Sequence, residues 1–259
     1  MNIIVEHLQM DAKRKNNIFI KELMIGEIDD LKVEHYAILG ATQKEIHLES
    51  GYISMFIFLQ GEGRFTSKNI TKQVVPESIA IPMNDNGMVQ LEVTNGTELQ
   101  FLKFTKKLSQ KDIEDFKNFP IENKYSGLFF TLFEDCAPYT EKIKSPNTVS
   151  RTVLPANIIP RISLGTVEAL GPDEVGAHKH PMLEQLFIGL SGNEIKVYAD
   201  GISAQLPAFS LLHIPLGSNH WVKVDENKKI NYMWMGFFLT KEGEEWLKTH
   251  KPINADSKV

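Results

Sequence analysis

His178-Lys-His180 sets two imidazoles two residues apart. On an extended strand that spacing puts both on one face, because side chains alternate with period two. Glu184 follows Pro181-Met-Leu183, a tripeptide suited to a turn or bulge, and is expected to open the next strand beside the two histidines. Further on, Pro215-Leu-Gly217-Ser-Asn-His220 reads as a Pro–Gly turn that swings a strand back, with His220 as its first residue. Three imidazoles and one carboxylate converging from neighbouring strands form a donor set for Mn, Fe, Ni, Cu or Zn, with positions left for water or substrate. A single histidine on a strand is ordinarily a surface or satisfied core residue. His7, His35, His213 and His250 carry no partner pattern and are read that way. Cys136, the one cysteine, lies between Asp135 and Ala137 and reads as an inert side chain.

The segments that must position these residues are short apolar or alternating runs. They include Val33–Leu39, Ile53–Leu59 and Leu99–Phe104 in the first half, and Ile162–Leu170, Gln185–Leu190, Ser210–Ile214 and Tyr232–Leu239 in the second. Turn residues punctuate them: Gly61-Glu-Gly63, Asn84-Asp-Asn-Gly87, Ser191-Gly-Asn193 and Asp200-Gly201. Many short strands with such turns indicate an all-β sandwich or barrel. The halves also echo each other. Met55-Phe-Ile-Phe-Leu-Gln-Gly61 parallels Leu186-Phe-Ile-Gly-Leu-Ser-Gly192, and Ile81-Pro82 parallels Ile214-Pro215, the signature of a duplicated unit. Between the halves, Ser109-Gln-Lys-Asp112 opens a helix through Phe116, with Ser109 as N-cap and Asp112 reaching back, and Asn118-Phe-Pro120 ends it. Lys124–Asn147 reads as a connector that packs on one barrel. Thr240 is expected to cap a last short helix, Lys241–Lys248, whose Trp246 and Leu247 dock onto the barrel.

Composition bounds the function. The chain has 259 residues, 42% hydrophobic and 24% charged, with a formal net charge of −5. Scattered basic residues and an acidic balance argue against a nucleic-acid partner. A single cysteine allows no internal disulfide. Neither a leader-like start nor an apolar run near the roughly 20 residues of a membrane span is present, so a cytoplasmic protein is expected.

The stretch Gly171-Pro-Asp-Glu-Val-Gly-Ala-His178-Lys-His180-Pro-Met-Leu-Glu184 through Gly192 resembles the first cupin motif, and Ala208 through His220 resembles the second. The likeness maps the family's four ligand positions onto His178, His180, Glu184 and His220. Six residues rather than the family's five precede His178, and seven rather than six separate Glu184 from Gly192. Ala208 stands where the family has glycine, and no Asn closes the second motif. The resemblance implies two cupin barrels of the jelly-roll, double-stranded β-helix kind with short connecting and terminal helices. Residues 1–106 would be a degenerate first barrel, 107–148 a helix and connector, and 149–259 the metal-binding barrel. Aligning Gly61 with Gly192 sets His47 against His178, Glu49 against His180 and Ile53 against Glu184, and aligning Pro82 with Pro215 sets Gly87 against His220. Two donors rarely make a tight site, so one divalent transition-metal ion per chain is expected.

Around the ion, Leu186 and Ile188 are expected to share the inward parity of Glu184, with Val222 and Val224 behind His220. The closing strand offers either Tyr232 and Trp234 or Met233, Met235 and Phe237. Gln185, Arg161, Ser163 and Glu168 are the candidate polar handles, and Trp221 either flanks the mouth or packs elsewhere. Two functions follow. One is a metal enzyme on a small molecule (a sugar or uronate, an organic acid or an aromatic), with the ion as Lewis acid or activator of oxygen or water, such as the isomerases, dioxygenases, decarboxylases and lyases of similar two-barrel proteins. The other is a metal-anchored module that binds or stores a small molecule without turnover. A homodimer through an exposed barrel edge is also expected.

Overall fold

A computed structural model of the chain describes residues 3–83, 87–118 and 127–240. The expected terminal helix with Trp246 and Leu247, residues Asn84–Asn86, and the helix stop at Phe119-Pro120 lie outside them. The described residues are almost entirely β, as expected, and fall into two compact units. One comprises Leu8–Asp135. The other runs from Cys136 onward and takes in the first seven residues as well, because Val5–His7 pairs antiparallel with Ser210–Ile214.

Each unit consists of a larger and a four-stranded antiparallel sheet. In the first, the larger sheet runs Leu128–Leu132, Ser78–Pro82, Tyr52–Gly61, Glu98–Lys107, Leu31–Leu39, Ile18–Leu23. Its partner sheet runs Thr42–Leu48, Gly87–Val93, Gly63–Ser67, Ile70–Val74. In the second, the order is Val5–His7, Ser210–Ile214, Leu183–Gly189, Lys229–Phe238, Ile162–Leu170, Val149–Ile159, Pro138–Tyr139. The smaller sheet is Asp173–His178, His220–Val224, Glu194–Ala199, Ile202–Pro207. The strand orders correspond one for one, in chain order too, from the second to the sixth strand of each larger sheet as written and through all four of each smaller sheet. The internal echo in the sequence is thus an echo of topology.

What differs is the filling. The first unit's interior is closed by Phe56, Phe58, Phe65 and Phe101, none of them exposed, with ring centroids 5.0–6.0 Å apart. Such tilted and edge-on aromatic contacts fill volume densely. His47 and Glu49 lie at the surface. His35 is buried, with its Nε2 3.0 Å from Gln100 Oε1, and burial pushes its pKa down, which keeps the ring neutral. The second unit packs Val167, Val175, Phe187, Val197, Leu212, Val222 and Ile230 between its sheets and leaves a cavity beside them.

Local rules account for the joints. Asp112 Oδ2 accepts from the Ser109 backbone N–H at 2.7 Å, and the Asp112 N–H donates to Ser109 Oγ at 3.1 Å, so the capping box opens helix Gln110–Asn118 as expected. Buried Asn193 ties the second unit's turns together: its Nδ2 donates to the Leu206 carbonyl at 2.7 Å and its Oδ1 accepts from the Asn231 N–H at 2.8 Å. Asn193→Ala removes both bonds in a buried turn and is expected to lower unfolding stability by about 2–4 kcal/mol, measured by urea denaturation.

Candidate metal centre

The three histidines meet by three different local devices. His178 ends strand Asp173–His178 and faces His220, the first residue of His220–Val224, as a direct cross-strand pair. A register shift after Val175 re-aims the strand before it reaches His178. His180 lies beyond the strand's end. Pro181 restricts it to extended backbone, so the alternation continues through it. His220 is delivered by the turn at Pro215, closed by the Ser218 N–H on the Pro215 carbonyl at 3.1 Å. Gly217 sits at φ 71° within it, a conformation that favours glycine.

The ring centroids of His178 and His220 are 4.3 Å apart, those of His178 and His180 4.9 Å, and those of His180 and His220 5.4 Å. One nitrogen from each ring can be chosen so that all lie within 4.8 Å of one another, and all three residues are buried. Among the described residues this is the one such cluster of potential ligands. His178 Nδ1 lies 2.7 Å from the Gly176 carbonyl, and His220 Nδ1 lies 3.0 Å from the Ser218 carbonyl. A carbonyl only accepts, so both Nδ1 atoms carry the proton, and Nε2 is the nitrogen of each ring left to bind an ion. Backbone carbonyls that fix the tautomer in this way are a usual support for metal-ligating histidines.

Glu184 is not part of this cluster. Its Oε2 lies 3.0 Å from His213 Nε2, and His213 therefore has a partner that its sequence context did not suggest. The residue that lines the cavity is its neighbour Gln185, together with Phe187. Strand Leu183–Gly189 pairs Gln185 with Gly236 and Phe187 with Trp234, and the side of the sheet carrying Trp234 and Tyr232 faces the cavity. Alternation then turns Glu184, Leu186 and Ile188 to the opposite face. The expected inward parity of that strand is thus corrected by one residue. The sequence held the signal: counted from Gln185, six residues intervene before Gly192, the family's usual spacing. Gln185 is buried, and its Oε1 has no hydrogen-bond partner among the described residues.

The cavity holds about 230 Å³. Val167, Val175, Phe187, Tyr232 and Trp234 supply its apolar wall, which settles the closing strand in favour of Tyr232 and Trp234. Of the other expected handles, Ser163 reaches it, Glu168 stands 3.7 Å from Arg151, and Arg161 is not among its lining residues. Trp221 stacks on Tyr198, centroids 4.8 Å apart and planes within 3°, away from the cavity.

Sequence reasoning missed the wall supplied by the connector. Tyr139, Glu141, Ile143 and Lys144 all line the cavity. This segment is stitched to the strand that ends at His178, through the Gly176 N–H on the Ile143 carbonyl at 2.6 Å and a bridge between Lys144 and Val175. The Lys144 ammonium, its side chain only 5% exposed, is ion-paired with Glu141 and donates to Ser150 Oγ at 2.8 Å. Burial pulls its pKa below the ordinary lysine value, and the Glu141 carboxylate pulls it partly back. Burial raises the pKa of Tyr139, which has side-chain hydrogen bonds to Ser150, Thr152 and Trp234, and it raises that of Tyr232 too, so both phenols stay protonated and able to donate. The connector's mixed composition gave no periodicity from which this wall could be read.

No family model matches the sequence, and no curated protein matches it. Solved structures do. Oxalate decarboxylase from Lactobacillus farciminis, in a formate complex, superposes with a TM-score of 0.67 at 12% identity, over 96% of this chain and 90% of that one. The E. coli protein Ylba gives 0.67 at 10% identity, over 91% and 90%. A cupin 2 conserved barrel domain protein from Leptotrichia buccalis gives 0.59 at 13% identity, over 88% and 91%. The chain is therefore an all-β protein of the cupin-barrel fold, with a buried histidine trio that could hold a metal ion.

A partly buried ion pair set against an apolar wall contributes little to stability by itself, because desolvation offsets the attraction. Lys144→Met alone, which strands Glu141, is expected to lower stability by about 1–2 kcal/mol. Lys144→Met/Glu141→Gln should return to within about 1 kcal/mol of the parent, read as Tm by thermal denaturation.

Proposed function

We propose that this chain is a metal-dependent enzyme acting on a small organic molecule. One divalent transition-metal ion would be held by His178, His180 and His220, with the Gln185 amide oxygen as fourth donor. The observation that supports this most strongly is the buried histidine trio, two of its rings fixed in tautomer by backbone carbonyls, beside a buried amide oxygen without a partner. Four neutral donors leave positions open on an ion that takes up to six. When bound, such an ion supplies Lewis acidity toward a carbonyl or carboxylate oxygen, or toward a water.

The chain's own residues would do the rest. The Gly176 and Ser218 carbonyls hold two of the rings in place. Phe187, Tyr232 and Trp234 give the site an apolar wall, beside which electrostatic contacts would be stronger than in water. The protonated phenols of Tyr139 and Tyr232 offer hydrogen bonds to a ligand, and the Lys144–Glu141 pair is a proton donor and acceptor within reach of the same space. The first unit, whose core is packed with Phe56, Phe58, Phe65 and Phe101, would act as a scaffold.

Elemental analysis of purified protein should find close to one ion per chain. The His178→Ala/His180→Ala variant should lose it, and Glu184→Gln should keep it. A Glu184→Gln protein without metal would return that carboxylate to the donor set. Apparent metal affinity should also fall steeply below about pH 6, where imidazoles protonate. Turnover is tested by incubating metal-loaded protein with a pool of small metabolites. Consumption that His220→Ala abolishes supports the enzyme, whereas retention without consumption would make the chain a metal-anchored binding or storage module.

A further inference from the structure

Charge in the cavity points to the ligand. Gln185 stands where a carboxylate donor was expected, and the nearest acid along the strand, Glu184, is turned toward His213. A divalent ion on three neutral imidazoles and an amide keeps its full charge of two. Of the other charged side chains lining the cavity, Lys144 and Glu141 cancel each other. An uncompensated double charge against Val167, Val175, Phe187 and Trp234 is costly, because apolar surroundings solvate it poorly.

We infer that the cavity takes a small organic anion, a carboxylate bound to the ion at one end and to the Lys144 ammonium at the other, an assignment that rests on the metal reading above. Lys144 suits the role by position. Its ammonium is held at the cavity wall by Glu141 and Ser150, on a segment bonded to the strand that ends at His178. Glu141, with 28% of its side chain exposed, has water as an alternative partner, so Lys144 can exchange it for a ligand carboxylate. Such a charge-assisted bond is stronger than a neutral one. The volume, about 230 Å³, is that of roughly eight waters at their liquid density, a space that suits a short-chain acid. Lys144 is thus a specificity residue for the anion, and Gln185 sets the charge that the anion neutralises.

The test uses the full chain loaded with Co2+, whose visible absorption reports ligands on the ion without any need for turnover. Malonate, a small dicarboxylate, should perturb the spectrum at millimolar concentration or below, and its neutral isostere malonamide should need at least tenfold more. Lys144→Met/Glu141→Gln, which removes the pair without stranding either charge, should bind malonate at least tenfold more weakly with unchanged Co2+ content. Gln185→Glu should hold Co2+ more tightly and malonate at least tenfold more weakly, since a carboxylate on the ion takes over part of the anion's role. Equal affinities of the parent for malonate and malonamide would overturn the inference even if both variants failed to fold. So would undiminished malonate affinity in Gln185→Glu. A parent chain that takes up no Co2+ would overturn the metal reading instead, a separate and recognisable failure.

Discussion

Along Leu183–Gly189 successive side chains must point to opposite faces of the sheet, and register with Lys229–Phe238 leaves no choice of which face each takes. Gln185 and Phe187 line the cavity with Tyr232 and Trp234, while Glu184 goes to the other side and meets His213. A slip of one residue would exchange an amide for a carboxylate beside the histidines and cancel one of the two charges that a divalent ion there would carry. The fixed tautomers of His178 and His220, the charge that an ion there would carry and the placing of Lys144 all depend on this parity, which turns Glu184 away from the trio.

The two units show how one topology is put to two uses. Their corresponding strands run in the same order, and both enclose apolar interiors. In the first, Phe56, Phe58, Phe65 and Phe101 pack against one another in the core. In the second, imidazoles, an amide and a buried ammonium line a cavity. Each of these polar groups carries a desolvation cost. The backbone offsets part of it by accepting from two of the rings, and Glu141 offsets part for Lys144.

Much of this was legible in the sequence. Period-two runs and glycine turns gave the all-β class, His178-Lys-His180 and the turn before His220 gave the trio, and Ser109 with Asp112 gave the helix start. The echo of Gly61 and Gly192 marked the duplication. What misled was the junction after His180. Glu184 and Gln185 are one residue apart, and only the pairing with Lys229–Phe238 fixes which of them shares a face with Tyr232 and Trp234. The connector wall was hidden for another reason: Tyr139 to Lys144 includes only a two-residue strand, and its place depends on backbone bonds to Gly176 and a bridge to Val175 that no local pattern encodes. The first seven residues were equally opaque, since a three-residue strand such as Val5–His7 gives too short a run to say which sheet it will join.

The central claim is that the ion's place is set by His178, His180, His220 and Gln185, with Glu184 excluded. Anomalous diffraction at the absorption edge of the bound metal tests it most directly. The account predicts one anomalous peak in the second unit, about 2.0–2.2 Å from an Nε2 of each of His178 and His220 and from one His180 nitrogen, with Gln185 Oε1 toward the ion and Glu184 still on His213. A peak coordinated by the Glu184 carboxylate, or one lying away from the trio, would contradict it.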